Sequence, residues 1–416
     1  MALLLVGASH APAQAPAPTP PRLDVGGEVR PFFEAFRNEE WGDTGVRDDR
    51  YGLLRLMVRA DAHVSDRLRV KVELKSGLIG GREGPARVPD EDQLDLHQAF
   101  ADVRLGRGWA VIVGRQELAY GSSRLVAVRE GPNVRQSFDG VRLAWASAGW
   151  QVDAFWTRPV ETDPGVFDDG TNDARGLWGV YAVRHRNRGR SGVDAYYLGA
   201  RRRIAGYEQG RGRERRHSVG TRWWRRPGPG ALDYNFEGVW QGGSFGAGRI
   251  RAWTVASDTG YTFGADGLVR AGLRADVTSG DADPRDPDLQ TFNAMYPKGA
   301  YFGLIAPTGP SNHRDVHPQV TARIGPRIEA TLDWLVLWRH SLRDGLYDIP
   351  GALLRAGATS DTRFVGHQPG LEVTVDLAPR TTATFNVATF VPGPFLRDTG
   401  HARHIGYFAS WVTYRF

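Results

Sequence analysis

The residues best suited to chemistry lie in one stretch, 114–143, which carries Arg115, Arg124, Arg129, Arg135 and Arg142. Each guanidinium is a planar fork of donors that matches a carboxylate or sulfate through two parallel hydrogen bonds. The stretch opens on the end of one alternating segment and closes on the start of another, Phe138-Asp139-Gly140-Val141-Arg142-Leu143. Between them lie roughly twenty residues too rich in Gly, Arg and polar groups for a strand or a buried helix. Leu118, Tyr120, Leu125, Val126 and Phe138 give this connection apolar anchors, so it is expected to pack against something. A long ordered connection is commonly functional. The reading is of a loop folded into a lumen, its arginines on the path of an anionic solute.

The elements that must position such a loop repeat with period two. Over 66–79, Leu68, Val70, Val72 and Leu74 alternate with Arg67, Arg69, Lys71, Glu73 and Lys75. Over 267–278, Val269, Leu273 and Val277 alternate with Arg270, Arg274 and Asp276; over 327–339, Ile328, Leu332, Trp334 and Trp338 alternate with Glu329, Asp333 and Arg339. Such alternation puts one set on each face of a strand. One face is apolar and the other carries charges of both signs, which suits a membrane barrel with lipid outside and a polar lumen. Trp145, Trp150, Trp156, Trp240, Trp334 and Trp338 extend the apolar faces and resemble an interfacial girdle.

Connection lengths alternate as well. Short turns are expected near residues 66, 107–108, 148–149, 188–189, 227–230, 265–266, 325–326 and 379. Longer connections fall at 38–49, 78–92, 119–137, 161–175, 205–213, 242–248, 279–315, 342–360 and 392–402. Long loops at one end and short turns at the other are the outer-membrane pattern, and the layout gives about 18 strands. The strand around 364–377, interrupted by Pro369, is the least regular. The chain ends Phe408-Ala409-Ser410-Trp411-Val412-Thr413-Tyr414-Arg415-Phe416. Its alternating aromatics resemble the terminal strand by which the barrel-insertion machinery recognises its substrates. The fold class is all-β: a transmembrane antiparallel β-barrel over 22–416, with long extracellular loops and short periplasmic turns.

Composition agrees. Basic residues number 53 and acidic 47, for a net charge of +6, and Lys71, Lys75 and Lys298 are the only lysines. Codon bias can supply the arginines; their donor geometry is the same either way. The absence of cysteine removes disulfides and thiolate chemistry. The apolar run 2–8 followed by Ala11-Pro12-Ala13 reads as a signal peptide over 1–13, too short to span a bilayer. The positive segment that normally precedes such a run is missing, which points to a misassigned start. Residues 14–21, rich in Pro and Ala, are expected to be extended and mobile.

Several runs resemble the alginate export family of outer-membrane barrels. They are Gly114-Arg115-Gln116-Glu117-Leu118, Arg129-Glu130-Gly131-Pro132-Asn133-Val134-Arg135, and Leu177-Trp178-Gly179-Val180-Tyr181. Further on are Thr291 to Gly303, with Asn293-Ala294-Met295-Tyr296-Pro297-Lys298-Gly299, and Gly393 to Gly400. The resemblance implies a monomeric 18-stranded barrel with an electropositive lumen, located in the bacterial outer membrane. In well-known members the exported polymer is a polyuronate, which carries one carboxylate per sugar.

A pore for such a chain needs staggered cations whose contacts release as readily as they form. The lumen-face candidates are Arg30, Arg55, Arg59, Arg69, Lys71, Arg104, Arg142, Arg270, Arg274, Arg323 and Arg339, with Arg115, Arg129 and Arg135 at the infolded loop. Glu73, Glu117, Asp139 and Asp276 are their expected carboxylate partners. The plain alternative is an Arg–carboxylate lattice that only stiffens the wall. Asp281 and Asp283, in the acidic run 281–288, are weak calcium candidates without EF-hand spacing. His313 and His317 make a metal pair only on a helix, and Pro318 argues against one. Arg201-Arg202-Arg203 and Arg213 to Arg216 are assigned to lipopolysaccharide phosphates or strand ends rather than to nucleic acid. No cofactor is expected; the expected partners are an anionic polysaccharide or oligosaccharide, outer-membrane lipid and periplasmic export components. The alternatives are an anion-selective uptake porin and, in a different class, a barrel enzyme or surface adhesin.

Overall fold

The computed structural model describes residues 21–84, 87–264, 266–283 and 285–416. The leader assigned to 1–13, and residues 14–20 of the segment after it, lie outside them. The alternating segments form an antiparallel barrel of 18 strands. In chain order these are β1 Arg22–Arg37, β2 Asp48–His63, β3 Leu68–Gly80, β4 Asp92–Gly106, β5 Trp109–Gln116 and β6 Phe138–Ser147. They continue as β7 Trp150–Glu161, β8 Arg175–Arg186, β9 Ser191–Tyr207, β10 Gly210–Arg225, β11 Ala231–Phe245 and β12 Gly248–Phe263. The last six are β13 Val269–Thr278, β14 His313–Ile324, β15 Ile328–Arg339, β16 Phe364–Ala378, β17 Thr381–Pro392 and β18 Ile405–Arg415. Each pairs with the next, and β18 returns to β1 in the register Glu28↔Arg415 to Arg37↔Gly406. Closure leaves no strand edge, which is the condition for a sheet to cross hydrocarbon.

The faces divide as the alternation requires. Val269 and Leu273 of β13 are exposed on the outside, while Arg270, Arg274 and Asp276 line the inside. Trp109 and Trp145 stand together near the short-turn end with ring centroids 6.0 Å apart, and Trp150 lies beside the turn 148–149. Trp156 pairs with Trp178, and Trp240 with Trp253, toward the other end. Pro318 and Pro369 both sit within strands. The β14–β15 ladder skips from Val316↔Val336 to Gln319↔Asp333, and the β16–β17 ladder from His367↔Val391 to Gly370↔Ala388. Each proline falls at an interruption, where its missing N–H costs no ladder bond.

Two expected long connections are corrected. The runs 205–213 and 242–248 are strand rather than loop, leaving only residues 208–209 and 246–247 as turns. Arg202 and Arg216, assigned to lipopolysaccharide phosphates or strand ends, instead point inward with Glu214, and the three bond one another and the Tyr207 hydroxyl. Gly242 and Gly243 are packing residues: a side chain at the first would strike the Trp240 ring, and at the second the Arg215 carbonyl.

The hydrophobic core lies inside the barrel, at its long-loop end. In one cluster Leu125, Val126, Phe292 and Tyr296 from the loops pack on Phe138, Phe155, Tyr181 and Phe245 from the wall. In the other, Tyr301, Phe302, Phe395 and Leu396 pack on Phe36, Leu335, Leu337 and Tyr407.

Candidate functional site

Two connections turn into the barrel, 117–137 between β5 and β6 and 279–312 between β13 and β14. They are joined by main chain: the Tyr296 N–H donates to the Leu125 carbonyl (3.0 Å), the Lys298 N–H to the Ser123 carbonyl (3.0 Å), and Val126 and Tyr296 form a parallel bridge. Arg124 then ties the pair to β13 and β11 through ion pairs with Asp276 and Glu237, and donates to the Tyr301 hydroxyl at 2.7 Å. The Tyr120 ring stacks between those of Phe155 and Tyr181, at 5.2 and 4.8 Å.

The opposite side of the first loop is held by an arginine pair. Arg30 and Arg55 face each other directly across β1 and β2. Like charges so placed repel unless acceptors fill the space between them. Here Arg30 donates to the carbonyls of Glu130, Gly131 and Pro132 at 3.0–3.1 Å, and Arg55 to the Glu28 and Glu130 carboxylates, each at 2.5 Å. Asn133 adds a bond to the Asp90 carbonyl at 2.9 Å. Arg339 plays the same part for 340–363, donating to the carbonyls of Leu342, Asp344, Gly357, Ser360 and Thr362 over the Phe395 ring. These three were expected on the solute path. They are 4%, 2% and 0% exposed, and their donors are committed to main chain and, for Arg55, chiefly to the Glu28 and Glu130 carboxylates, so they act as loop clamps.

Most other candidates form a lattice. Arg69 pairs with Asp61 (2.5 Å), Lys71 with Glu73 (3.0 Å), Arg115 with Asp139 (2.9 Å) and Arg142 with Asp153 (3.1 Å). Arg135 holds Glu117 and Glu130, each at 3.0 Å, and Glu117 also bonds His97. Arg270 holds Asp233 (2.6 Å), and Arg274 shares Asp258 with it (3.3 Å from Arg274). Arg323 pairs with Glu329 at the exposed short-turn rim. The expected acids all meet candidate cations: Glu73, Glu117 and Asp139 pair with Lys71, Arg135 and Arg115, and Asp276 with Arg124 of the infolded loop. Arg59, Arg104 and Arg129 have no carboxylate within ion-pair distance among the described residues. Arg59 and Arg104 are exposed; Arg129 sits in the infolded loop at φ 57°, its Nε buried without a partner.

Toward the short turns, the loops roof a cavity of about 830 Å³. Arg222, Arg270, Arg274 and Lys298 line it from the side of β10–β13, and Asp333, Glu372 and Asn386 from β15–β17. A smaller cavity of about 160 Å³ lies among Ser122, Arg124, Arg274, Asp276, Lys298 and Tyr301, so Lys298 borders both. Lys298 was not among the expected site residues. Its ammonium stands 5.7 Å from the Tyr301 ring centroid, and no carboxylate of the described residues lies within ion-pair distance. Burial, with Arg274 and Arg124 nearby, pulls its pKa down to about 8. The available signal was its rarity: one of three lysines, alone in a Gly/Pro-bounded loop without periodicity.

Two clusters have metal-ligand chemistry. Asp276, His313 and Asp315 bring ligand atoms within 4.8 Å of one another, all buried. Asp276 and Asp315 are direct cross-strand partners, and His313, Asp315 and His317 share the inner face of β14. The H-x-D-x-H alternation carried that signal, which a helical reading of His313 and His317 misses. Asp92, Asp95 and Asp169 form the second cluster, where the Lys75 ammonium already bridges Asp92 and Asp169 at 2.6 Å each. The weak calcium candidates lie in neither cluster: Asp281 accepts the N–H groups of Asp283 and Gln290, and Asp283 pairs with Arg285.

The barrel resembles solved outer-membrane channels of Pseudomonas aeruginosa. OccK2 (OpdF), solved in complex with glucuronate, aligns over 95% of this chain and 98% of its own at TM-score 0.64 and 14% identity. OccK8 (OprE) aligns over the same shares at TM-score 0.65 and 12% identity, and OpdK with vanillate over 94% and 98% at 0.61 and 12%. A comparison with curated protein sequences finds no match. The family model described as alginate export matches residues 21–408, nearly the whole described chain, and the protein belongs to the alginate export family of outer-membrane β-barrels.

Proposed function

We propose that this barrel passes a uronate-bearing polysaccharide outward across the outer membrane, and that Lys298, Arg129 and Arg274 are the cations it meets at the constriction. The reading rests on one observation above the rest. Most arginines of the lumen are saturated by carboxylates or carbonyls, while Lys298 borders both cavities under the roof with no carboxylate partner among the described residues. A carboxylate on each sugar exchanges between such sites, held strongly enough to enter and weakly enough to leave. We assign the site transport rather than catalysis: its cations are placed to attract an anion, and transit needs no bond to break.

A second reading is uptake of acidic sugars. The main-chain join between the two loops favours it, because two inserts held together inside the barrel leave less room for a polymer. The likeness to OccK2, solved with glucuronate, supports a barrel of this shape as a path for such ligands. Reversal potentials in a KCl gradient separate the readings. Anion selectivity with current blocked by polymannuronate, and relieved in a Lys298→Met/Arg129→Gln variant, supports the polymer path. Passage of glucuronate without block by polymer favours uptake. Cation selectivity in the wild type removes both.

A further inference from the structure

Inside the barrel, the facing arginines Arg30 and Arg55 are filled by loop carbonyls and carboxylates. Arginines also face each other across strands on the outside. Arg201 of β9 faces Arg215 of β10, and Arg203 and Arg213 follow just beyond, where the register shifts between Arg202 and Ala205. All four are exposed, and none has a carboxylate within ion-pair distance among the described residues. Glu214 lies between them in sequence but points inward, to Arg202 and Arg216. Two pairs of like charges on adjacent strands repel. Nothing in the described chain relieves them.

Their surroundings state what does. The four arginines border an outward-facing groove of about 1020 Å³ whose remaining wall, apart from Arg202 and Glu214, is apolar and aromatic, including Trp156, Trp178, Val180 and Tyr197. Trp156 is 69% exposed, Val180 44% and Tyr197 36%, as expected of side chains that meet acyl chains. Arg215 leans over the Trp178 ring at 5.9 Å, and Trp178 donates to the Tyr197 hydroxyl. Arg201 and Arg203 lie on the long-loop side of this aromatic row, since Arg201 pairs with Gly176 and Gly199 with Trp178. Aromatic girdles mark the boundary between hydrocarbon and headgroups. The arginines therefore stand at headgroup height in the leaflet that faces outward.

We propose that this groove is a lipid A site, with Arg201, Arg203, Arg213 and Arg215 holding its phosphates and the aromatic wall holding its acyl chains. Guanidinium suits the role because its fork binds phosphate oxygens bidentately. The inference concerns the outer wall, so it stands whether or not the lumen carries a polyuronate.

The test uses the full barrel purified in detergent and stripped of lipid, with binding read by native mass spectrometry. Lipid A is expected to bind one per barrel, and dephosphorylated lipid A and phosphatidylglycerol at least tenfold more weakly. An Arg201→Gln/Arg215→Gln variant is expected to lose lipid A to the same extent, with heat-modifiable gel mobility showing that the barrel is folded. A Trp178→Ala variant is expected to weaken lipid A while keeping the discrimination against the dephosphorylated form. Equal binding of phosphorylated and dephosphorylated lipid by the wild type overturns the proposal, and needs no variant. So does displacement of lipid A by millimolar inorganic phosphate, which would mark a free-anion site, and so does unchanged retention by the folded double variant.

Discussion

At the scale of residues, the contrast between satisfied and unsatisfied cations decides where an anion is met. Lys298 has its pKa pulled down to about 8, from an ordinary value of 10.5, by burial and by Arg274 and Arg124. The ammonium is therefore charged below pH 8 and is lost as pH rises through it. Anion selectivity is expected to hold steady from pH 6 to about 7 and to fall across pH 8. Lys298→Arg should keep selectivity and flatten that profile, and Lys298→Met should flatten it at a lower value. A step at pH 8 that survives in Lys298→Met would exclude this lysine as its source. The stability effect has the opposite sense: between about pH 8 and 10.5 the unfolded chain binds more protons at this site, so the folded state gains as pH rises. Sequence pattern placed Arg30 and Arg55 on the inner face. It could not show that they face each other, because cross-strand register depends on where both strands begin and end.

At the scale of elements, 117–137 and 279–312 behave as docked inserts, not as parts of the wall. Their apolar anchors were legible: Leu118, Leu125 and Val126 are all buried, as their place in a polar stretch implied. Their docking partners were not, since main-chain bonds between two loops leave no mark on side-chain pattern. Nor did pattern reveal that Leu335 and Leu337, on the inner face of β15, belong to a core that only the loops complete. The clamps give a test. Hydrogen bonds to a charged group contribute about 1.5–3 kcal/mol each. Arg30→Met/Arg55→Met should free the 130–132 side of the first loop, still joined to the second, while leaving the continuous strand ladder intact. Single-channel conductance is expected to rise severalfold with gel mobility of the folded barrel unchanged. Unaltered conductance would show that the loop is held elsewhere.

At the scale of the whole molecule, the seam between β1 and β18 makes the barrel. Phe416 and Gly27 exchange main-chain bonds of 3.1 Å in both directions, so the final residue takes part in closure. Gly27 leaves no room there: a side chain would meet the Met57 carbonyl at 2.2 Å and the Phe416 ring at 2.5 Å. Gly27→Val is expected to leave most of the protein in the unfolded, heat-insensitive gel band, and deletion of Phe416 to do the same through a lost partner. Full folding of Gly27→Val would show that the seam can widen. The barrel itself was legible because alternation, girdle and turn spacing all point to one architecture. The strand pairs β9–β10 and β11–β12 were misread at their ends, where glycine and arginine serve close packing rather than a loop.

The main-chain join between the two infolded loops carries one more consequence. Separate flaps would move one at a time, and the current through the pore would show several intermediate levels. Here Lys298 donates to the Ser123 carbonyl and Tyr296 to that of Leu125, so neither loop leaves without breaking the bonds of the other. The roof is a single cross-beam. Its electrical signature is a two-level telegraph record, with the dwell time in the closed level set by the join and the open level by the bare wall.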